Sequence, residues 1–132
     1  MIFPLPRFAA VATAAIFLAL PVAATAGTAN TTGTFTGASD HITTGGVTIV
    51  KTAGGGAVVI LDENFSLDGA PDPRVGFGTN GVYADASDLG ELTQKEGLQV
   101  YIVPANVNVD DFNEVYIWCR QFAVPLGVAA LN

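Results

Sequence analysis

Short runs of alternating apolar residues, separated by glycine-rich turns, are the feature that most constrains the fold of this chain. The clearest run reads "GGVTIVKTAGGGAVVIL". It predicts a hairpin with strands at residues 47–52 and 57–61 and a turn at glycines 54 to 56. Few windows repeat apolar residues at helical spacing. The pattern therefore predicts an all-β domain, an antiparallel β-sandwich or open barrel of about seven to nine short strands.

Other segments fit the same pattern. Strands are predicted at residues 33–38 and 74–78, and the stretch "LQVYIVP" forms another strand that ends at Pro104. One helical turn is predicted around residues 88–92. Strand parity predicts which side chains lie in the core. The predicted core residues are Phe35, Val47, Ile49, Val100, Ile102, Val115 and Ile117.

The last apolar stretch, "VYIWCRQFAVPLG", changes phase just after its cysteine. Apolar side chains occupy odd positions up to Cys119 and even positions from Phe122 onward. One extra residue in a strand reverses its two faces, so the pattern predicts a bulge or bend near Arg120 and Gln121. The alternative is a central strand buried on both sides, where phase carries little meaning.

The N-terminus has the features of an export signal. It reads "MIFPLPRFAAVATAAIFLALPVAATAG", with Arg7 as its sole charge and an apolar run from Phe8 to Leu20. A small-x-small motif at Ala24-Thr25-Ala26 predicts cleavage after Ala26. We therefore expect a helical signal peptide over residues 1–26 and one exported domain over residues 27–132, periplasmic or extracellular. A retained anchor is the alternative, but the apolar run is short for a membrane span.

The charge of the chain restricts its partners. It has twelve acidic and five basic residues, and Arg7 would leave with the signal peptide. Such a surface repels nucleic acid phosphates and anionic membranes. We expect no nucleic acid partner and no stable membrane insertion after cleavage. The acidity either confers solubility or suits a basic partner.

The inventory of reactive side chains excludes several classes of site. The chain has one histidine, His41, one cysteine, Cys119, and one methionine, Met1, which would leave with the signal peptide. Zinc and blue-copper sites need more His and Cys ligands, so we expect no metal site of these kinds. A haem held by His41, by Cys119 or by both remains open. The acidic loops lack the spacing of a calcium loop and are interpreted as solvated surface, with a calcium site as the alternative.

The two chemically distinctive side chains each have two interpretations. Cys119 alternates with Val115 and Ile117, which is typical of an inert buried thiol. The alternative is a reactive thiol next to Arg120, whose charge would favour the thiolate if the side chains meet. His41 is interpreted as a loop histidine hydrogen-bonded to Asp40 or Thr43. A catalytic triad could form only around His41, and no nucleophile is marked for it, so an enzyme is the least favoured class.

The ordered segments resemble the electron-transfer DM-thirteen domain, an extracytoplasmic module. A Pro-Asp pair before a strand is matched by Pro71 and Asp72, and a Tyr-x-Val/Ile-Pro ending is matched by residues 101–104. A Trp-Cys strand, "V-x-I-W-C-x-x-F", is matched by residues 115–122. The resemblance spans about residues 33–131. It departs from the family pattern at Leu126, where an aromatic residue is common, and at Pro73.

The resemblance implies an all-β domain with a redox role for Cys119 and an electron partner on a separate, unidentified molecule. His41 is the candidate neighbour of Cys119, because these two positions carry the most reactive side chains in the match. Cys119, His41 and Trp118 are the candidates for holding any cofactor. The alternative is a non-catalytic β-sandwich, a binding or surface-matrix interaction module in which Cys119 is structural.

Overall fold

The computed structural model describes residues 2–4, 14–16, 18–19 and 30–132. Most of the predicted signal peptide, and its cleavage site after Ala26, lie outside these described residues. No helix in the described part of the chain is both long enough and apolar enough to cross a membrane.

Residues 30–132 form strands and two single-turn 3₁₀ helices, because apolar residues alternate along short segments and glycines or prolines end each segment. The 3₁₀ helices are Asp85–Ser87 and Val109–Asp111. The strands are β1 Thr31–Gly37, β2 Thr43–Thr44, β3 Gly46–Lys51, β4 Ala57–Leu61, β5 Ser66–Leu67, β6 Pro73–Thr79, β7 Val82–Tyr83, β8 Gly90–Glu91, β9 Gln99–Val103, β10 Glu114–Cys119 and β11 Val124–Ala130.

Nine of these strands build one curled antiparallel sheet. Its order is β7-β6-β10-β11-β1-β3-β4-β9, and β8 pairs with β6 beside β7. The remaining two strands, β2 and β5, form a small ribbon of their own. The sheet curls into a half-barrel whose inner face holds the core. This architecture confirms the predicted all-β, antiparallel open barrel.

The core consists of the inward-facing side chains of this sheet. The predicted hairpin is present as β3 and β4, paired from Val47 opposite Leu61 to Lys51 opposite Ala57. Five of the predicted core residues are buried as expected: Phe35, Val47, Ile49, Val115 and Ile117. Burial of side chains of this size is the main favourable term in the folding of such a domain.

The prediction for β9 was wrong, because the strand buries its other face. Val100 is 56% exposed and Ile102 is 79% exposed, whereas Gln99 and Tyr101 are buried. Their polar ends can be buried because they are hydrogen-bonded. The Gln99 Nε2 amide donates to the carbonyl of Gln94 at 2.8 Å, and the Tyr101 hydroxyl donates to Gln99 Oε1 at 2.7 Å.

The phase change after Cys119 is a hairpin rather than a bend in one strand. β10 ends at Cys119, residues 120–123 form a turn, and β11 returns along β10. Ala123 has a φ of +51° in this turn. A bulge is present, but it lies where the register shifts between Ile117 and Trp118, not at Arg120. A second local prediction was also wrong, since the helical turn is Asp85–Ser87 and Gly90–Glu91 is strand β8.

Candidate functional site

Cys119 lies at the last position of β10, between β6 and β11. Its register partners are Pro73 on β6 and Val124 on β11. The residue is only 1% exposed, and its Sγ donates a hydrogen bond to the carbonyl oxygen of Pro71 at 3.0 Å. The thiol is therefore both buried and hydrogen-bonded to the loop that precedes β6.

The loop above the thiol is fixed by Asp72, which lies between two prolines. Asp72 has a φ of +47°, a left-handed conformation that Asp and Asn tolerate better than most residues. The backbone N–H of Arg120 donates to the Asp72 carbonyl at 3.2 Å. The Arg120 Nε donates to Asp72 Oδ2 at 2.7 Å. Arg74 adds a longer contact, with Nη1 3.7 Å from Asp72 Oδ1. We call Asp72, Arg74 and Arg120 the Asp72 clasp.

The Asp72 clasp changes the expected role of Arg120. The sequence suggested that the Arg120 charge could favour the thiolate of Cys119. In the structure the guanidinium pairs with Asp72, and the thiol faces the Pro71 carbonyl. Arg120 therefore contacts the loop that covers Cys119 and not the thiol itself. The sequence analysis did not predict the clasp. The stiff Pro71-Asp72-Pro73 stretch was the signal that could have indicated a fixed loop.

His41 lies in the loop after β1 and pairs with a residue that sequence reasoning did not name. Its Nδ1 lies 2.9 Å from Asp68 Oδ1, and the Ile42 N–H donates to Asp68 Oδ2 at 3.0 Å. The hydrogen bond from Ile42, followed by that from His41, lowers the pKa of Asp68 below its usual range. The histidine is thus a hydrogen-bonded loop residue, with Asp68 in place of Asp40 or Thr43.

His41 and Cys119 are both attached to the segment that leads from β5 to β6. His41 contacts Asp68, and Cys119 contacts Pro71, three positions later. Among residues 30–132 no hydrogen bond joins the two side chains directly. Their closeness remains a prediction, and the structure shows only that both side chains hydrogen-bond to this segment.

Trp118 lies on the opposite face of β10 from Cys119, in an aromatic cluster. The Trp118 ring stacks on Tyr83 with centroids 4.3 Å apart and planes at 11°. Tyr116 meets Trp118 edge-on at 6.4 Å. Aromatic pairs at such distances add stability beyond the area that they bury. We call Tyr83, Tyr116 and Trp118 the aromatic cluster.

Two glycines of β6 make room for this cluster. A Cβ at Gly76 would lie 2.7 Å from the Tyr83 Oη, and one at Gly78 would overlap the Tyr116 ring. The glycines in "RVGFGT" therefore allow two tyrosines to lie flat on the outer face of the sheet. Sequence reasoning named Trp118 but missed Tyr83 and both glycines, since their partners are distant in sequence.

Both tyrosines of the cluster are held in their neutral form. Burial, and then the charge of Asp88 and that of Asp85, raise the pKa of Tyr83. Burial, and then the charge of Glu114, raise the pKa of Tyr116. The Tyr83 hydroxyl is buried without a hydrogen-bond partner in the described residues.

Two adjoining clefts lie away from Cys119, near the tip of the β3–β4 hairpin. The larger has a volume of about 720 Å³, and the ion pair of Lys51 and Asp110, at 2.6 Å, lies in its wall. Neither cleft is lined by His41, Cys119 or Trp118. The described residues hold no group of three or more His, Cys, Asp or Glu side chains that could bind a metal ion. Neither cleft therefore joins the residues that the sequence suggested for a haem.

A family model described as Electron transfer DM13 matches residues 34–131. The chain belongs to this family. No curated protein and no solved structure matches it.

The match confirms the resemblance drawn from the sequence segments. As a DM13 domain, the protein is related to a family whose description names electron transfer, which suggests a redox-related module. The matched range includes His41, the Pro71 and Asp72 loop, Trp118 and Cys119. The family thus supplies the general class of chemistry, and the geometry above supplies the residues on which a proposal can rest.

Proposed function

We propose that this DM13 domain is an exported redox module and that Cys119 is its reactive centre. The support is that the only cysteine of an electron-transfer domain lies beneath a loop with its own fixing contacts. A thiol is a weak donor, so a cysteine that only fills the core can remain without a polar contact. Here the thiol donates to a loop carbonyl, and Asp72 and Arg120 hold that loop in place.

The chemistry that suits a lone thiol is a two-electron oxidation with an external partner. The sulfur of Cys119 attacks one oxygen of a peroxide, the O–O bond breaks, and sulfenic acid and water form. A thiol from a partner then displaces water from the sulfenic acid and forms a mixed disulfide. A second partner thiol attacks that disulfide, releases Cys119 as a thiol, and leaves the partner as a disulfide. The electrons pass from the partner thiols to the peroxide.

This cycle requires the loop to open, because the thiol is buried beneath the loop when the loop is closed. Opening would break the hydrogen bond to Pro71 and expose Sγ to a small oxidant. The Asp72 clasp sets how often this occurs, since local opening requires the loss of its ion pairs. His41 is the candidate neighbour, attached to the same segment through Asp68.

The test is a thiol and redox titration of the anaerobically purified protein, with an absorption spectrum. We expect Cys119 to be oxidised by peroxide to a sulfenic acid that a dimedone-type probe captures, and to return to the thiol with excess small thiol. Cys119→Ser, Cys119→Ala and Cys119→Val should all lose this response while they keep the fold. A thiol that reacts only after denaturation would contradict the proposal. A Soret band would indicate haem chemistry in place of thiol chemistry.

A second candidate function is a binding or surface-matrix module in which Cys119 is structural. The observation in its favour is that the residue is 1% exposed and shares a face with Val115 and Ile117. In that case Cys119→Ala and Cys119→Val would cost only a little stability, and no redox signal would be present to lose. The two candidates therefore give opposite results in the same titration.

Export is part of the proposal and has a separate test. Cleavage after Ala26 would leave Gly27 as the first residue of the exported protein. Intact mass and N-terminal sequencing of the protein recovered from the periplasm or medium should give that residue. Recovery of a chain that still begins at Met1 would contradict export by cleavage.

A further inference from the structure

Part of the outer face of the sheet carries apolar side chains that no other described residue covers. The strand register aligns them in two rows across three strands. One row consists of Val50, Val58 and Ile102, and the other of Ile60 and Val100, with Thr48 at its end. Val100 and Ile102 on β9 are the most exposed of them. Contiguous apolar surface of this kind marks interaction sites on soluble proteins.

The same strand is an unprotected sheet edge. β9 pairs with β4 on one side and is the last strand of the sheet order, so within residues 30–132 its other side offers unpaired backbone groups. Soluble proteins protect such edges with charges, prolines or bulges. None of these lies within β9, and residues 97–109 contain no charged side chain, although the chain as a whole is strongly acidic.

We propose that β9 pairs antiparallel with β9 of a second copy of this chain, about a two-fold axis at Tyr101. This register matches all five residues of the strand and places Val100 opposite Ile102 of the other copy, and Ile102 opposite its Val100. Both rows then continue across the junction, which gives each exposed β9 side chain an apolar neighbour. Registers centred elsewhere on the strand leave at least one of its ends unmatched.

The absence of charge favours a second copy over a different protein as the occupant. Two acidic molecules repel each other over most of their surface, so they can approach only where the charge is absent. The uncharged stretch from residue 97 to 109 provides such a place. A two-fold pairing is also self-complementary, because the same edge serves both partners. A basic partner would instead be attracted to the acidic loops elsewhere.

The expected dimer is weak. Pairing of one five-residue strand is smaller than the standard interface of about 1,600 Å². We therefore expect a monomer–dimer equilibrium with a dissociation constant in the micromolar range or weaker. Sedimentation velocity over a wide range of protein concentration should show a sedimentation coefficient that rises with concentration. A monomer at all concentrations, up to the highest that stays in solution, would overturn the proposal.

The matched variants are Ile102→Lys and Val82→Lys. Ile102 is 79% exposed on β9, and Val82 is 69% exposed on the two-residue strand β7 at the other end of the sheet order. Ile102→Lys should weaken dimerisation by at least about tenfold, because a charge on a strand edge opposes pairing and the two-fold axis applies it twice. Val82→Lys should leave dimerisation unchanged. Equal effects of the two variants, or no effect of Ile102→Lys, would overturn the proposal.

The register has its own test in a Cys119→Ala background. Val100→Cys mixed with Ile102→Cys should form a disulfide between copies under mild oxidation, because opposite positions of an antiparallel pair lie close. Each variant alone should form much less, since neither residue faces itself across the axis. A disulfide that forms as readily within Val100→Cys alone would overturn the register about Tyr101.

Discussion

The outer face of the sheet is covered by side chains at one end and exposed at the other. Over β6 and β10, glycines leave room for the aromatic cluster, which covers the strands and protects Tyr116 almost completely. Over β4 and β9 the described part of the chain provides no such layer, and Val100 and Ile102 are exposed. Both regions have apolar residues on the outer side of one continuous sheet. Alternation of apolar residues therefore does not reveal which face is covered.

The difference separates two kinds of surface in a small domain. The covered end carries Cys119 and the Asp72 clasp, and the outer edge of its long strand β6 is paired with the two short strands β7 and β8. The bare end carries an open edge without charge. The covered end suits a reaction of a buried thiol, and the bare end suits association between molecules.

The largest expected effect contrasts two isoleucines on the two faces. Ile117 is fully buried on β10, whereas Ile102 is mostly exposed on β9. Ile117→Ala should lower the free energy of unfolding by about 2–4 kcal/mol, because it removes buried methyl and methylene groups and leaves a cavity. Ile102→Ala should change it by less than about 0.5 kcal/mol in the monomer. Denaturant melts at low protein concentration measure both, and similar losses would contradict the contrast.

The next effect tests whether the aromatic cluster depends on its glycines. In Gly76→Ala the new methyl group would lie 2.7 Å from the Tyr83 hydroxyl, so the ring must move. We expect a loss of about 1–3 kcal/mol from overpacking and a change in the near-UV signal of Trp118, which stacks on Tyr83. The double variant Gly76→Ala with Tyr83→Ala should lose less than the sum of the single losses. Strict additivity would show that the glycine does not serve Tyr83.

A smaller effect concerns the cover over Cys119. Asp72→Asn keeps the left-handed backbone and the shape but weakens the pairing with Arg120. We expect a loss of about 1 kcal/mol and faster alkylation of Cys119 by a small reagent. Asp85→Asn, at an exposed acid near Tyr83, is the control and should leave the alkylation rate unchanged. An unchanged rate in Asp72→Asn would mean that the clasp does not control access.

The fold class and much of the core could be predicted from sequence, because they depend on the alternation of apolar residues within short segments. The β3–β4 hairpin needed only alternation around three glycines, and Val115 and Ile117 followed from the parity of one strand. The inner face of β9 could not be predicted. Its alternation is apolar on both faces, and Gln99 is buried only because Gln94 and Gly97 satisfy its amide.

The candidate site was predictable only in part. Cys119 stood out as the single thiol, but its cover depends on Asp72 and Arg120, which are far apart in sequence and meet through the register of β6 with β10. The pairing of His41 with Asp68 is likewise a contact between distant loops. A single sequence carries no periodic signal for such contacts. The family match includes the residues of both contacts, but it does not indicate that they meet.

The smallest expected effect is that of Tyr83→Phe. This variant tests whether burial in the covered outer face disfavours the ionised form of the Tyr83 phenol. The Tyr83 hydroxyl is buried and has no hydrogen-bond partner among the described residues, so its removal should change stability at neutral pH by less than about 1 kcal/mol, in either direction. Burial first, and Asp88 next, raise the pKa of Tyr83. A pKa raised in the folded state gives stability that is present below the unfolded value, about 10, and lost as pH rises above it. The wild type should therefore lose stability above about pH 10, and Tyr83→Phe should lose less, with Tyr116 accounting for part of the remainder.

Denaturant melts between pH 7 and pH 11 measure the difference, with Tyr101→Phe as a comparison on the inner face. Identical alkaline profiles for wild type and Tyr83→Phe would show that the phenol meets water, and the contrast between the covered and bare outer faces would then be one of shape alone.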